Sequence, residues 1–134
     1  MFGWIRRWWR HRHEDIRRQS GRRGERLAER FLRRLGYKLV QRNYRVRGGE
    51  IDLIMRDGET LVFVEVKTRQ SENFIATEQV VNYAKQQHLR CAARRFIHLA
   101  KAHRRPCRFD VVVVLSGSGG RGQVKHFTNA FDMN

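Results

Sequence analysis

At 134 residues the chain is long enough for one compact domain and leaves little room for a second. Its 29 Lys and Arg against 13 Asp and Glu give a formal charge of +16, which calls for a polyanionic partner: nucleic acid first, an anionic membrane surface second. No stretch reaches the eighteen or so apolar residues of a membrane span, and the N-terminus lacks the continuous apolar run of a secretory signal. Cys91 and Cys107 have no CxxC partner and support neither a zinc cage nor a disulfide framework. The expected setting is the cytoplasm, with no integral membrane segment.

Residues 1–19 read as a basic arm with Trp4, Trp8 and Trp9 among its arginines; residues 1–23 together carry eight Arg against Glu14 and Asp15. Three readings stand open for it: a solvated tail that touches phosphates loosely, a clamp that stacks Arg and Trp on bases, or an interfacial membrane anchor. The first is preferred. Residues 20–134 read as a single domain.

From about Ser20 to Leu35, Leu27, Ala28, Phe31, Leu32 and Leu35 recur at helical spacing, and Gly36 is placed to cap the helix in the left-handed conformation. "YKLVQRNYRV" reads as a strand, with Gly48 and Gly49 as punctuation. "EIDLIM" and "TLVFVEVK" are two further strands around Asp57-Gly58, a hairpin signal. A short turn or helix is expected near Thr77. Asn82 can cap a longer helix to about Ala100, whose stripe includes Leu89, Ala92, Ala93, Phe96 and Ile97. Pro106 ends that connection. "RFDVVVVL" is apolar almost throughout, as in a strand covered on both faces; "GSGGRG" reads as a flexible loop and "QVKHF" as a last strand. A strand, a helix and a strand in that order form a crossover with parallel pairing. The expected fold is α/β: helix, three-strand meander, helix, strand, with a mixed sheet flanked by helices.

Against this basic background, residues 50–65 collect Glu50, Asp52, Asp57, Glu59 and Glu65 with Arg56 as the one base. Asp52 and Glu65 interrupt runs that otherwise look like core. With Asp57-Gly58 as a two-residue turn, positions summing to 115 pair: Arg56 faces Glu59, Asp52 faces Phe63 and Glu50 faces Glu65. Alternation then puts Asp52, Phe63, Glu65 and Lys67 on one face and Ile51, Leu53, Val62, Val64 and Val66 on the other. Asp52 and Glu65 become diagonal neighbours, close enough for both carboxylates to reach one divalent ion. Lys67 projects from the same face, where an ammonium can orient a water and neutralise charge on a phosphate.

A single acid on a strand is ordinarily a solvated edge residue, and Glu-x-Lys on one face is ordinarily a surface ion pair. The combination of Asp52, Glu65 and Lys67 with an apolar opposite face favours a site. Glu50 reads as a rim charge, Asp57 and Glu59 as turn residues, and Asp110 as a structural brace. Glu25 extends the first helix's apolar stripe at its first turn, where helix-dipole compensation also favours an acid. Lys85 is either a solvated charge or a phosphate contact. His11-x-His13 is a weak ligand signal.

"GRRGERLAERFLRRLGYKLVQRNYR", "GEIDLI", "LVFVEVKTR", "RFDVV" and the closing "NAF" resemble the bacterial YraN family, whose members are endonuclease-like; the likeness runs from about Gly21 to Phe131. That family is similar to archaeal Holliday-junction resolvases and the restriction-endonuclease-like fold, in which an Asp, a spacer and Glu-x-Lys form the active site beside an acid on the first helix. The resemblance implies Asp52, Glu65 and Lys67 as the catalytic set, Glu25 as the helix acid and Mg²⁺ (or Mn²⁺) as cofactor. Two departures are Phe74-Ile75, where Gly commonly follows Phe, and Asn82-Tyr83 at the entry to the long helix.

The expected activity is Mg²⁺-dependent hydrolysis of DNA phosphodiesters, with branched or structured DNA as a candidate substrate. Asp52 and Glu65 would hold the metal with the Val66 carbonyl, Lys67 would position water, and Glu25 would assist. Arg42, Arg45, Arg47, Arg69 and Lys85 would contact phosphates, and a homodimer fits the resolvase likeness. The alternative is a noncatalytic nucleic-acid-binding accessory protein that keeps the fold.

Overall fold

The computed structural model describes residues 22–69, 81–115 and 123–134. The basic arm, its histidine pair, the segment around Thr77, Phe74-Ile75 and the "GSGGRG" loop lie outside the described residues. A helix over residues 22–34 (α1) leads into β1 (Lys38–Val46), β2 (Gly49–Asp57) and β3 (Thr60–Arg69); helix α2 (Tyr83–Leu99), β4 (Cys107–Leu115) and β5 (Gln123–Phe131) follow. The five strands lie in sheet order β1-β2-β3-β4-β5. All neighbours are antiparallel except β3 and β4, which the α2 crossover makes parallel. This is the mixed α/β sheet of a restriction-endonuclease-like core, as the sequence led one to expect.

The ends of the helices follow from their local chemistry. Gly36 takes φ +95°, and the amides of Gly36 and Tyr37 return to Arg33 O and Leu32 O at 2.9 and 3.1 Å, which satisfies the orphan carbonyls of α1. Asn82 caps α2 by accepting from the Lys85 amide at 2.9 Å.

Each face of the sheet buries its own core. On the α1 side Ala28, Leu32, Tyr37, Leu53, Met55, Val62, Val64, Val112 and Val114 pack together. On the α2 side Ile51, Ile54, Leu61, Phe63, Leu89, Ala92, Ala93, Phe109, Val111 and Val113 do so. The valines of β4 alternate between the two, which explains its unbroken apolar run.

The β2–β3 register corrects the sequence reading. Asp57 pairs with Thr60, Arg56 with Leu61, Ile54 with Phe63 and Leu53 with Val64, so positions sum to 117. Asp52 does not face Phe63, Glu50 does not face Glu65, and Arg56 does not face Glu59. The turn is Gly58-Glu59, with φ +59° at Gly58 and no positive φ at Glu59. A Gly at the first central position is what a type II′ hairpin uses, whereas Asp-Gly predicts type I′; the glycine moved the loop by one residue and the register by two. Glu65 and Lys67, two apart on β3, share one face whatever the register: their β4 partners Val111 and Val113 belong to the α2-side core.

Ile51 also departs from its expected face, since it lies with Ile54 in the α2-side core while Leu53 packs against α1. The alternation therefore breaks at Asp52. Opposite it on β1, between the pairs Arg42–Leu53 and Tyr44–Ile51, Asn43 adopts φ +49°, a left-handed conformation that asparagine tolerates better than most residues.

Candidate active site

Asp52 sits where β2 parts from β3. Leu53–Val64 is the last pair of the ladder, and beyond it the Asp52 carboxylate accepts the Val66 amide at 2.8 Å. A side chain has taken the place of a strand carbonyl. In a strand the N–H and C=O of one residue point to the same side, so the Val66 carbonyl also faces this opening.

Three acids converge there. Asp52 lies within side-chain hydrogen-bonding reach of Glu65 from β3 and of Glu25 from the first turns of α1. Glu65 is only 8% exposed. Burial first, and the charge of Asp52 second, push the Glu65 carboxyl up to about 8 and that of Glu25 to about 7. Burial raises Asp52 as well, against the Val66 amide and Lys85, which favour its charged form. Asp52 has the amide donor, so a shared proton resides preferentially on Glu65. Two desolvated carboxylates in contact disfavour each other's ionisation, which Lys85 offsets only in part.

Lys85 reaches into this cluster from the first turn of α2, with its Nζ 3.4 Å from Glu65 Oε1. Lys67 shares the α2 face with Glu65 and is half-buried. The end of β3 and the first turn of α2 thus each carry a lysine. Sequence reasoning missed Asn43, whose side chain hydrogen-bonds Glu25 and lowers its pKa. The signal was an Asn inside "QRNYR", a residue type depleted from regular strands.

The donor set fits a hard divalent ion. Among the described residues no group of three or more His, Cys, Asp and Glu forms a ready-made cage. What exists is a carboxylate pair, Glu65 buried and Asp52 half-buried, and Mg²⁺ is usually bound by one or two carboxylates with substrate phosphates completing its shell.

The proposed phosphate contacts do not form one surface. Arg42 is held by Glu29 through two hydrogen bonds of 2.6 and 2.9 Å, on the α1 side. Arg45 lies 3.5 Å from Glu50, which is a rim charge as expected. With Arg47 it lines a groove of 860 Å³ against α2, where Arg94, Arg95 and His98 form the far wall. Arg69 turns its guanidinium onto the Thr68 carbonyl at 2.9 Å. A second groove, of 910 Å³, runs between α1 and β1 and opens beside Glu25, Asn43 and Leu53.

A separate polar cluster is structural. Asp110, 1% exposed, accepts from Arg108 Nε at 3.0 Å and the Asn129 amide at 3.0 Å, and lies 2.7 Å from His126 Nε2. Arg108 continues to Tyr37 Oη at 2.5 Å and Asp57 at 3.3 Å. It braces β4 against β5 and the end of α1, the role assigned to Asp110 from sequence.

The profile of "Uncharacterised protein family UPF0102" matches residues 24–114. A UPF0102 protein of Nitrosospira multiformis is 50% identical over 117 residues, covering 87% of this chain and 96% of the relative. One from Symbiobacterium thermophilum is 44% identical over 114 residues, covering 85% and 97%, and one from Pelobacter propionicus 40% over 118 residues, covering 87% and 84%. The matched region holds β1 to β3 and α2 in full, nearly all of α1 and β4, and Glu25, Asp52 and Glu65, and on this breadth and identity the chain belongs to the UPF0102 (YraN) family.

Proposed function

We propose that the protein is a Mg²⁺-dependent phosphodiesterase acting on DNA, with branched or structured DNA as a candidate substrate. The observation that carries this reading is the pairing of half-buried Asp52 with buried Glu65 at the β2–β3 fork, with Glu25 beside it and Lys85 3.4 Å from Glu65. Acids placed at such a cost in desolvation, in a chain of charge +16, are placed for a cation and a polyanion together.

Asp52, Glu65 and the Val66 carbonyl would hold the ion. When bound, it would supply Lewis-acid polarisation of the scissile phosphate and acidify a water. The Val66 amide fixes the Asp52 rotamer, so one oxygen stays directed into the fork. Lys67, on the α2 face with Glu65, would orient the attacking water and offset phosphate charge. Glu25, poised near neutrality, can accept a proton from that water or relay it to solvent. Lys85 keeps Glu65 ionisable and would steer the phosphate.

The test is cleavage of duplex, single-stranded and four-way DNA with Mg²⁺ or Mn²⁺, for wild type, Asp52→Asn and Glu65→Gln. Metal-dependent cutting lost in both variants is expected. Cutting that survives both removes this site, and binding without cutting in wild type favours the noncatalytic accessory reading.

A further inference from the structure

The structure assigns the groove between α1 and β1 as a track for one phosphate backbone of duplex DNA, entered along an arginine stripe that ends at Glu25; this rests on the nuclease reading and specifies how its substrate lies. Arg22, Arg26, Arg30, Arg33 and Arg34 line one wall and Arg42 the other. The five on α1 are all exposed.

Spacing explains why they act together. Arg22, Arg26, Arg30 and Arg33 lie at i, i+4, i+8 and i+11, so they fall on one face, opposite the apolar stripe of Ala28, Phe31 and Leu32. From Arg22 to Arg34 the helix rises about 18 Å, long enough to reach several consecutive phosphates of one strand. Like charges at i, i+4 destabilise a helix by a few tenths of a kcal/mol per pair, so the stripe works against its own helix until a polyanion neutralises it. Glu29 is placed to organise the stripe: it holds Arg33 at 3.1 Å and Arg42 at 2.6 Å, which fixes one cation on each wall.

The lining also says what is read. It includes no aromatic ring among the described residues, so it offers no platform for stacking unpaired bases. Contact is with backbone, independent of sequence. A bilayer is the less favoured polyanion because the stripe lines a recess between α1 and β1 that ends at half-buried Glu25, which a flat surface does not enter.

The experiment uses the full chain and a fluorescein-labelled 30-base-pair duplex, read by anisotropy in EDTA from about 0.05 to 0.3 M salt. The variants are Arg26→Gln/Arg30→Gln/Arg34→Gln, the same three positions changed to Lys, and a charge-matched control, Arg104→Gln/Arg105→Gln/Lys125→Gln, at exposed positions outside both grooves. The α1 Gln variant is expected to bind on the order of 100-fold more weakly at 0.1 M salt and to lose roughly two to three units of log–log salt slope. The Lys variant and the control keep the wild-type slope, and the α1 Gln variant melts no lower than wild type because repulsion has been removed. Equal slopes in the α1 Gln variant and wild type overturn the assignment while leaving the carboxylate site standing, since cleavage by wild type and its loss in Asp52→Asn are scored separately. A wild type that binds no duplex overturns the assignment, and the nuclease reading falls with it only if four-way and single-stranded DNA are not cut either. Binding to vesicles of 4:1 zwitterionic and anionic lipid that the α1 Gln variant alone loses, with duplex binding intact, overturns it in favour of a membrane surface.

Discussion

The Asp52 carboxylate accepts the Val66 amide at 2.8 Å just beyond the last β2–β3 pair, so one side chain both closes the ladder and opens the fork that holds the acids. Substitution can separate these roles. Asp52→Asn keeps an oxygen for the Val66 amide and removes the charge, so the fold is retained. Cleavage should fall by on the order of 100–1,000-fold, the scale of losing a group that stabilises transition-state charge. Asp52→Ala leaves that amide without its partner and costs a further 1–3 kcal/mol or about that in stability. Denaturant melts of the two variants should therefore differ while both lack activity. Equal melts would mean that the amide finds another acceptor.

Glu65 makes stability depend on pH in the unusual direction for an acid. Burial and the Asp52 charge raise its carboxyl to about 8 in the folded chain, above the ordinary 4.5. Between those values the unfolded chain releases the proton and the folded chain keeps it. Stability is therefore fully present below about pH 4.5 and is lost progressively as pH rises through about 8, by on the order of a few kcal/mol in metal-free buffer. Glu65→Gln should flatten that decline. Urea melts at pH 5 and 8.5 measure it, and a wild type that is no less stable at pH 8.5, with EDTA present, would contradict the burial of this carboxyl.

The same linkage predicts how a cation acts on the folded chain without reference to turnover. Binding to Asp52 and Glu65 needs both ionised, so Mg²⁺ or Mn²⁺ displaces the shared proton and binds more tightly as pH rises from 6.5 to 8.5. Melting temperature should rise with metal at pH 8.5, by an amount that grows as RT ln(1 + [L]/Kd). It should not rise in Asp52→Asn or Glu65→Gln. Calorimetry in two buffers of different protonation enthalpy would count the released proton, and zero release would sink the shared-proton description.

Much of this molecule was legible from periodicity. The limits of α2, the cap at Asn82, the stop at Gly36 and the parallel β3–β4 pair follow from capping chemistry and from the two-face burial of "DVVVVL". The β2–β3 register was not, because Asp57-Gly58 and Gly58-Glu59 both make two-residue turns from one glycine. Asp52 and Glu65 still meet, because a shift of two moves them from diagonal to opposite positions just beyond the last pair of the ladder. The reach of Lys85 to Glu65 was hidden for another reason: it depends on where α2 begins over the sheet, which contacts far apart in sequence decide. The α1 arginines of the groove were assigned no role from sequence, since nothing local shows that β1 supplies a second wall.

Two glycines set the distances between helices and sheet. A Cβ on Gly49 would overlap the His88 carbonyl oxygen, with the carbonyl carbon at 2.9 Å, and one on Gly24 would collide with Thr68 Oγ1. The first obstacle is backbone and cannot rotate away; the second is a side chain that can. Gly49→Ala should therefore cost about 1–3 kcal/mol or more, and Gly24→Ala less. Because Gly24 precedes Glu25, Gly24→Ala should still reduce cleavage by moving the helix acid. Thermal melts and cleavage rates together check this ordering, and a Gly49→Ala protein as stable as wild type would show that α2 can lift from β2 freely.

Asp110 responds to acid in the sense opposite to Glu65. Burial alone would raise its carboxyl, yet His126, the Asn129 amide and Arg108 together hold it below the ordinary 3.8. A depressed carboxyl contributes stability that is present above the unfolded value and lost as pH falls through the folded one, so its contribution is intact from pH 5 upward and disappears below about pH 4. Asp110→Ala strips three partners of their acceptor and leaves Arg108 next to a void, a loss on the scale of 3–5 kcal/mol, or about that, for breaking a buried ion pair. Asp110→Asn can still accept from Arg108 and the Asn129 amide, so it should lose less and should become insensitive to acid in this window. Since the cluster joins β4, β5 and the end of α1, folded Asp110→Asn protein should bind metal as wild type does. A drop in metal affinity at unchanged melting temperature would instead tie this network to the carboxylate site.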